Sequence, residues 1–166
     1  MSIVTRPIRD QSYYDIRIVA VGAYNEGKYN CPAIEFLVGQ DSEHPRMLER
    51  LTALLESTAK YRPLRNEQKF RALKNTDEIF EFKADQLRLF CFWDEGDLLV
   101  CTNGAVKKKQ RTDPTVIRTA IHWKNSYFEA KRNKLLKHES EHDRITRVHF
   151  RATKAEHWLL GGNGNH

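Results

Sequence analysis

The chain has 166 residues, 40% of them hydrophobic and 30% charged, and a net charge of +6. That length suits one domain with a real core under a wide solvated surface, and no apolar run approaches the roughly 20 residues of a membrane span. The opening MSIVTRPIRD lacks the apolar stretch of a secretion signal, and Cys31, Cys91 and Cys101 are odd in number without C-x-x-C spacing, so the expectation is a cytoplasmic protein with reduced thiols and no zinc knuckle.

The first predicted element is a strand over 13–22, with Tyr14, Ile16, Ile18 and Ala20 on one face. Pro32 opens a short helix through Val38, since proline is at home in a first helical turn. Ser42 is the predicted cap of a second helix, in which Met47, Leu48, Leu51, Leu54 and Leu55 recur at three and four, and Arg62-Pro63 ends it. A polar stretch anchored by Phe70 and Leu73 leads to strands over 78–84, 87–93 and 98–104, the last two joined across Asp94-Glu95-Gly96-Asp97. Asp113-Pro114 pairs a cap with a first-turn proline and starts a long helix bearing Val116, Ile117, Ala120, Ile121, Tyr127 and Phe128, which Leu135 and Leu136 can extend. Thr146, Val148 and Phe150 alternate like an edge strand, Ala155, Trp158 and Leu159 suit a final helical turn, and the tail GGNGNH is expected to be disordered.

The three central strands carry the chemistry. A two-residue turn at Asp85-Gln86 sets Ala84 opposite Leu87 and Lys83 opposite Arg88, with Phe82 facing Leu89 and Phe80 facing Cys91 on the other side. Two cations directly opposite each other are destabilising, and the next strand delivers Lys107, Lys108 and Lys109. Such a sheet suits an anion, and a row of phosphates is the obvious one. The charge is also uneven: between Ala105 and Lys137 ten Lys or Arg stand against Asp113 and Glu129, so the rest of the chain is net acidic. Glu81 alternates onto the face of Lys83, about 7 Å along the strand; it either relieves the cation pair as a surface ion network or serves as a general base. Lys107–Lys109 either hold phosphate or form a solvated connection. Phe80, Phe82, Phe90, Phe92 and Trp93 read as core, although Phe90 and Phe92 share the face of Arg88 and so could stack on bases. The Arg88 side chain itself is expected outside the core.

A second motif, His138-Glu139-Ser140-Glu141-His142, matches H-E-x-x-H, which on a helix sets two imidazoles one turn apart for zinc. Zinc peptidases bury it in an apolar helix, whereas Lys137, Glu141, Asp143 and Arg144 surround this one with charge. A third ligand would have to come from His149, Glu156 or His157. A solvated helix end is the preferred reading, with no metal, and a zinc peptidase is the remote alternative.

The order β-α-α-β-β-β-α, with Phe70-Arg71-Ala72-Leu73-Lys74, Ile79-Phe80-Glu81-Phe82-Lys83, Leu87-Arg88-Leu89-Phe90 and Ala105-Val106-Lys107-Lys108-Lys109-Gln110-Arg111-Thr112, resembles the RelE-like toxin superfamily, and within it the phage-derived, HigB-like branch. The likeness covers roughly residues 13–130. It implies an α+β RelE-like fold: a twisted, antiparallel-rich sheet with two helices before it and one long helix after, as a toxin domain over 1–131 with an extension over 132–166 packed on or beside it. It further implies the toxin of a type II toxin–antitoxin system, an endoribonuclease that cuts mRNA on the ribosome by 2′-OH attack without metal or other cofactor. The implied partners are mRNA, the ribosome and a small helix-turn-helix antitoxin. On this reading Lys83, Arg88 and Glu81 are catalytic, and Lys107, Lys108, Lys109 and Arg111 bind RNA. Two departures stand out: many relatives have a basic residue where this chain has Glu81, and many carry a tyrosine or histidine soon after the third strand, where the nearest here are His122 and Tyr127 in the following helix. A gyrase-inhibiting, ParE-like toxin and a catalytically inactive phage-derived nucleic-acid-binding protein are the alternatives.

Overall fold

The computed structural model describes residues 1–8, 16–61 and 68–139. In chain order the elements are β1 (Ser2–Pro7), β2 (Arg17–Asn25), β3 (Lys28–Asn30), α1 (Pro32–Glu43), α2 (Pro45–Tyr61), β4 (Phe70–Ala72), β5 (Phe80–Ala84), β6 (Leu87–Asp94), β7 (Leu98–Val106), α3 (Pro114–Arg132) and β8 (Lys137–His138). They form one mixed α+β unit. The sheet runs β4-β5-β6-β7-β2-β1-β8, with β3 also on β2. Pairing is antiparallel except between β2 and β7 and between β1 and β8.

The β5–β6 hairpin has the register the sequence dictates, with Ala84 opposite Leu87, Lys83 opposite Arg88, Phe82 opposite Leu89 and Phe80 opposite Cys91. Asp85 takes the left-handed conformation of its turn at φ +53°, one that aspartate tolerates better than most side chains. Alternation then sorts the side chains. Phe82, Ala84, Leu87, Leu89, Leu99 and Cys101 pack beneath α1 and α2, against Leu37, Leu48, Leu51 and Leu55. On the opposite side Phe90, Phe92, Val100, Val19 and Val21 pack against Ala120, Trp123 and Tyr127 of α3. Phe90 and Phe92 are therefore core beneath a helix, not platforms for bases. All three cysteines are free and buried.

Several boundaries differ from the sequence reading. The first helix runs on to Glu43, so Ser42 lies inside it and bonds Gly39 O at 3.3 Å instead of capping the next. The break falls at His44 (φ −140°, ψ 60°) because Pro45 disfavours helical backbone in the residue before it. The strand expected over 13–22 spans Arg17–Asn25 and turns through Glu26-Gly27, both at positive φ, into β3. An unpredicted β1 pairs along most of β2, from Ser2 opposite Tyr24 to Pro7 opposite Val19. The long helix starts as predicted, with Asp113 accepting from Thr115 N at 2.9 Å and Pro114 in the first turn. It stops at Arg132, and Lys134 at φ +57° turns the chain, so Leu135 and Leu136 do not extend it. Residues 137–138 instead form β8 beside β1. The predicted strand around Val148, the turn around Trp158, the tail, and Arg62-Pro63 lie outside the described residues. Among the described residues no helix is long and apolar enough to cross a membrane.

Candidate anion-binding cleft

Since Phe82, Leu87 and Leu89 point toward α1 and α2, the alternate residues Glu81, Lys83 and Arg88 point to the α3 side. The register carries this face onto β7, where Ala105 lies opposite Arg88 and Lys107 follows two residues later. Gly104 makes the close packing of β7 possible, since a Cβ there would stand 2.1 Å from the Phe36 ring of α1. Helix α3 covers the Phe90–Phe92 half of the face. Its first turn is tied to β7 by Asn103 Nδ2, which donates to Val116 O at 3.0 Å. Between the end of β7 and that first turn opens a cleft of about 500 Å³, walled by Arg88, Lys107, Lys108, Lys109 and Arg111 with Asp113 and Val116.

Five of the predicted cations thus meet in one cleft, and Lys83 stands beside them across the hairpin from Arg88. Lys108, Lys109 and Arg111 are exposed and Lys107 is half-buried. Arg88 corrects the expectation of a side chain outside the core, being 6% exposed. Its Nη1 donates to Asp85 O at 2.7 Å and Leu87 O at 2.9 Å, while its Nε is buried without a partner. Burial pulls the Arg88 guanidinium below its ordinary pKa, Glu81 pulls it back up, and Arg71 pushes it down again. Lys83 is also depressed, first by burial, then by Arg71 and Arg88. The one acid in the wall, Asp113, is engaged in capping α3. A buried donor without a partner, among clustered cations at a helix N-terminus, is what an anion relieves.

Glu81 sits differently from the other predicted groups. Its side chain is 0% exposed, Oε1 accepts from Arg71 Nε at 2.8 Å, and Oε2 has no partner. Arg71, opposite Glu81 in the β4–β5 register, was missing from the sequence reading of the site. The signal that could have revealed it is an arginine in a short apolar-flanked run one hairpin away from a lone glutamate. His122 is exposed on α3, and Tyr127 donates to Asp94 Oδ2 at 2.6 Å among the buried residues of the α3 core. Burial and that carboxylate raise the Tyr127 hydroxyl well above its ordinary pKa. Neither residue lines the cleft.

Of the H-E-x-x-H motif the described residues are His138 and Glu139, and neither is helical. His138 lies on β8 and its Nδ1 meets Thr5 Oγ1, while Glu139 receives Arg6 Nε at 2.6 Å in a buried ion pair. A strand turns successive side chains to opposite faces, whereas the zinc motif needs a helical turn. His142, His149, Glu156 and His157 lie outside the described residues.

Fold and cleft together define an α+β protein with a polycationic cleft between a sheet and a helix N-terminus. The family model described as Phage derived protein Gp49-like (DUF891) matches residues 36–124, more than half of the 166, and the chain belongs to this family, a RelE/toxin-like one. The matched span holds every cation of the cleft as well as Arg71, Glu81 and Lys83, and it stops before Tyr127 and β8. No curated protein matches the chain.

Proposed function

We propose that this protein is the toxin of a type II toxin–antitoxin system, a HigB-like endoribonuclease that cuts mRNA on the ribosome by metal-independent attack of a 2′-OH on the adjacent phosphate. The observation that carries the reading is the cleft, where buried Arg88 with its unpartnered Nε stands among Lys107, Lys108, Lys109 and Arg111. Multiple Lys and Arg contacts are the ordinary means of holding a nucleic-acid backbone. Arg88 stabilises the pentavalent phosphorane, because a positioned donor in a partly dry site acts where charge develops. Lys83, its ammonium depressed by burial and by neighbouring cations, is suited to exchanging the proton. Lys107, Lys108, Lys109 and Arg111 hold the flanking phosphates. The protein acts in the cytoplasm and is held inactive by a small helix-turn-helix antitoxin that covers the basic cleft.

One observation favours a second reading: among the described residues lining the cleft there is no His or Tyr, which suits a nucleic-acid-binding protein that does not cut. Induced expression separates the two. The toxin arrests growth and leaves mRNA cut in the ribosomal A site, and Arg88→Met abolishes both. Arrest with intact mRNA and DNA damage identifies a gyrase poison. A strain that keeps growing, with RNA bound and uncut, identifies a binding protein.

A further inference from the structure

Among the described residues strand β4, three residues long, lies at the end of the sheet and pairs with β5 alone. Phe70 packs its ring at 5.5 Å from Phe80, 4.6 Å from Phe82 and 6.4 Å from Trp93, on the side facing α2. That anchors the strand and turns Arg71 to the cation face, opposite Glu81. The resulting ion pair is lopsided: the Glu81 side chain is 0% exposed and that of Arg71 is 42% exposed. Only Nε of Arg71 is engaged by the carboxylate, and among the described residues both Nη groups remain for another acceptor. A carboxylate withdrawn from water with one oxygen unpartnered is unfavourable by itself. Here it lies in the field of Arg71, Lys83 and Arg88, and it fixes the direction of a long, otherwise floppy side chain.

Four neighbouring strands then carry one cation each on this face: Arg71 on β4, Lys83 on β5, Arg88 on β6 and Lys107 where β7 ends. Arg71 lies two residues before the Lys83–Arg88 level and Lys107 two residues beyond it, so three interstrand steps of about 4.8 Å and about 13 Å along the strands make a diagonal row roughly 20 Å long, long enough for more than one phosphate. We propose that Arg71 is a further RNA-binding residue, holding a second phosphate at the β4 end of this row, and that Glu81 is its positioning residue and takes no proton from the substrate. A 2′-OH cannot reach Glu81 without displacing Arg71, because no part of the carboxylate is at the surface. This rests on the reading of the cleft as an RNA-phosphate site.

The experiment measures binding of the full chain to a fluorescent single-stranded RNA carrying 2′-O-methyl groups, which 2′-OH attack cannot cleave, across a salt series. Lys108→Ala is the control for the cleft itself, and thermal melting checks each variant for folding. Arg71→Gln keeps a donor for Glu81 but removes the charge. It is expected to weaken binding several-fold and to lower the slope of log K against log salt by about 0.7, the value for one phosphate on a single strand. Glu81→Gln is expected to weaken binding less, and to add nothing in the Arg71→Gln background. If Glu81→Gln does not fold, the slope of Arg71→Gln still decides the role of Arg71. Should Lys108→Ala lower the slope while Arg71→Gln leaves it at the wild-type value, the proposal is wrong and the RNA reading stands. Should neither variant change it, both fail. If Glu81→Gln and Arg71→Gln weaken binding additively, Glu81 does not act through Arg71 and the positioning role is overturned.

Discussion

The two ends of α3 sit on the same sheet and are built on opposite principles. At the C-terminal end Asp94 receives Tyr127 at 2.6 Å and Lys131 at 2.8 and 2.9 Å, with Glu95 taking a further bond from Lys131 at 3.1 Å. Asp94 and Glu95 there meet Lys131, and Lys131 and Arg132 lie in the last turn, where the helix dipole favours cations. At the N-terminal end Arg88, Lys107, Lys108, Lys109 and Arg111 gather around one acid already engaged in capping, and a buried guanidinium nitrogen has no acceptor. The first arrangement holds the helix to the sheet. The second leaves like charges together and a buried donor unpartnered, and under the proposed function the contrast separates residues that serve the fold from residues that serve a ligand.

The sharpest way to break that contrast is Arg88→Met. Its mRNA cleavage should fall about a hundredfold or more, as when one preorganised donor is removed. Its urea-denaturation stability should change by no more than ~1 kcal/mol and in the stabilising direction, because an apolar chain of similar length replaces a buried, partly unpaired charge. A fall of several kcal/mol would place Arg88 among the groups that hold the fold. Asp94→Asn should do the reverse, costing about 2 kcal/mol of stability while RNA affinity stays within about twofold. The same carboxylate gives a pH signature. Burial pushes the Asp94 pKa up, but the bonds from Lys131 and Tyr127 outweigh this and hold it below its ordinary value of 3.8. A depressed folded-state pKa contributes stability that is complete above the unfolded value and lost as pH falls through the folded one. Denaturation of wild type and Asp94→Asn should therefore differ at neutral pH and converge only below about pH 4. The smallest effect is expected of Lys108→Ala: exposed and one among several, it should weaken RNA binding a few-fold and make the salt dependence shallower.

What sequence could and could not show follows the distance over which each feature is decided. The β5–β6 register rests on a turn between adjacent strands, and the start of α3 on the Asp113-Pro114 pair, so both were legible. Strand β1 was not, because Ile3-Val4-Thr5 is a β-branched run of only three residues, and its place between β2 and β8 is decided by pairing with residues far along the chain. The partnership of Arg71 with Glu81 needs the register across the loop between β4 and β5, where Asn75, Asp77 and Glu78 all take positive φ and no short-range rule fixes the pairing. Alternation gave the face of Arg88 correctly, yet its burial depends on how the hairpin end, β7 and α3 close around it. The cation cluster was visible as composition, and its cleft only as geometry.

The pairing of β1 with β8 has a consequence for how the chain is made. Thr5 O accepts from Glu139 N at 2.8 Å, and Arg6 binds Glu139 at a sequence separation of 133. Beginning and end of the described fold are thus closed by contacts of the longest sequence separation, which chain entropy makes the slowest to form. During synthesis β1 emerges before the other described elements and must wait for β8 until nearly all of the described chain has been translated. Until then Arg6 lacks its counter-charge and the sheet keeps an open margin. The molecule cannot acquire its complete shape while most of it is still being translated, an interval in which a chaperone or a partner made nearby has first access.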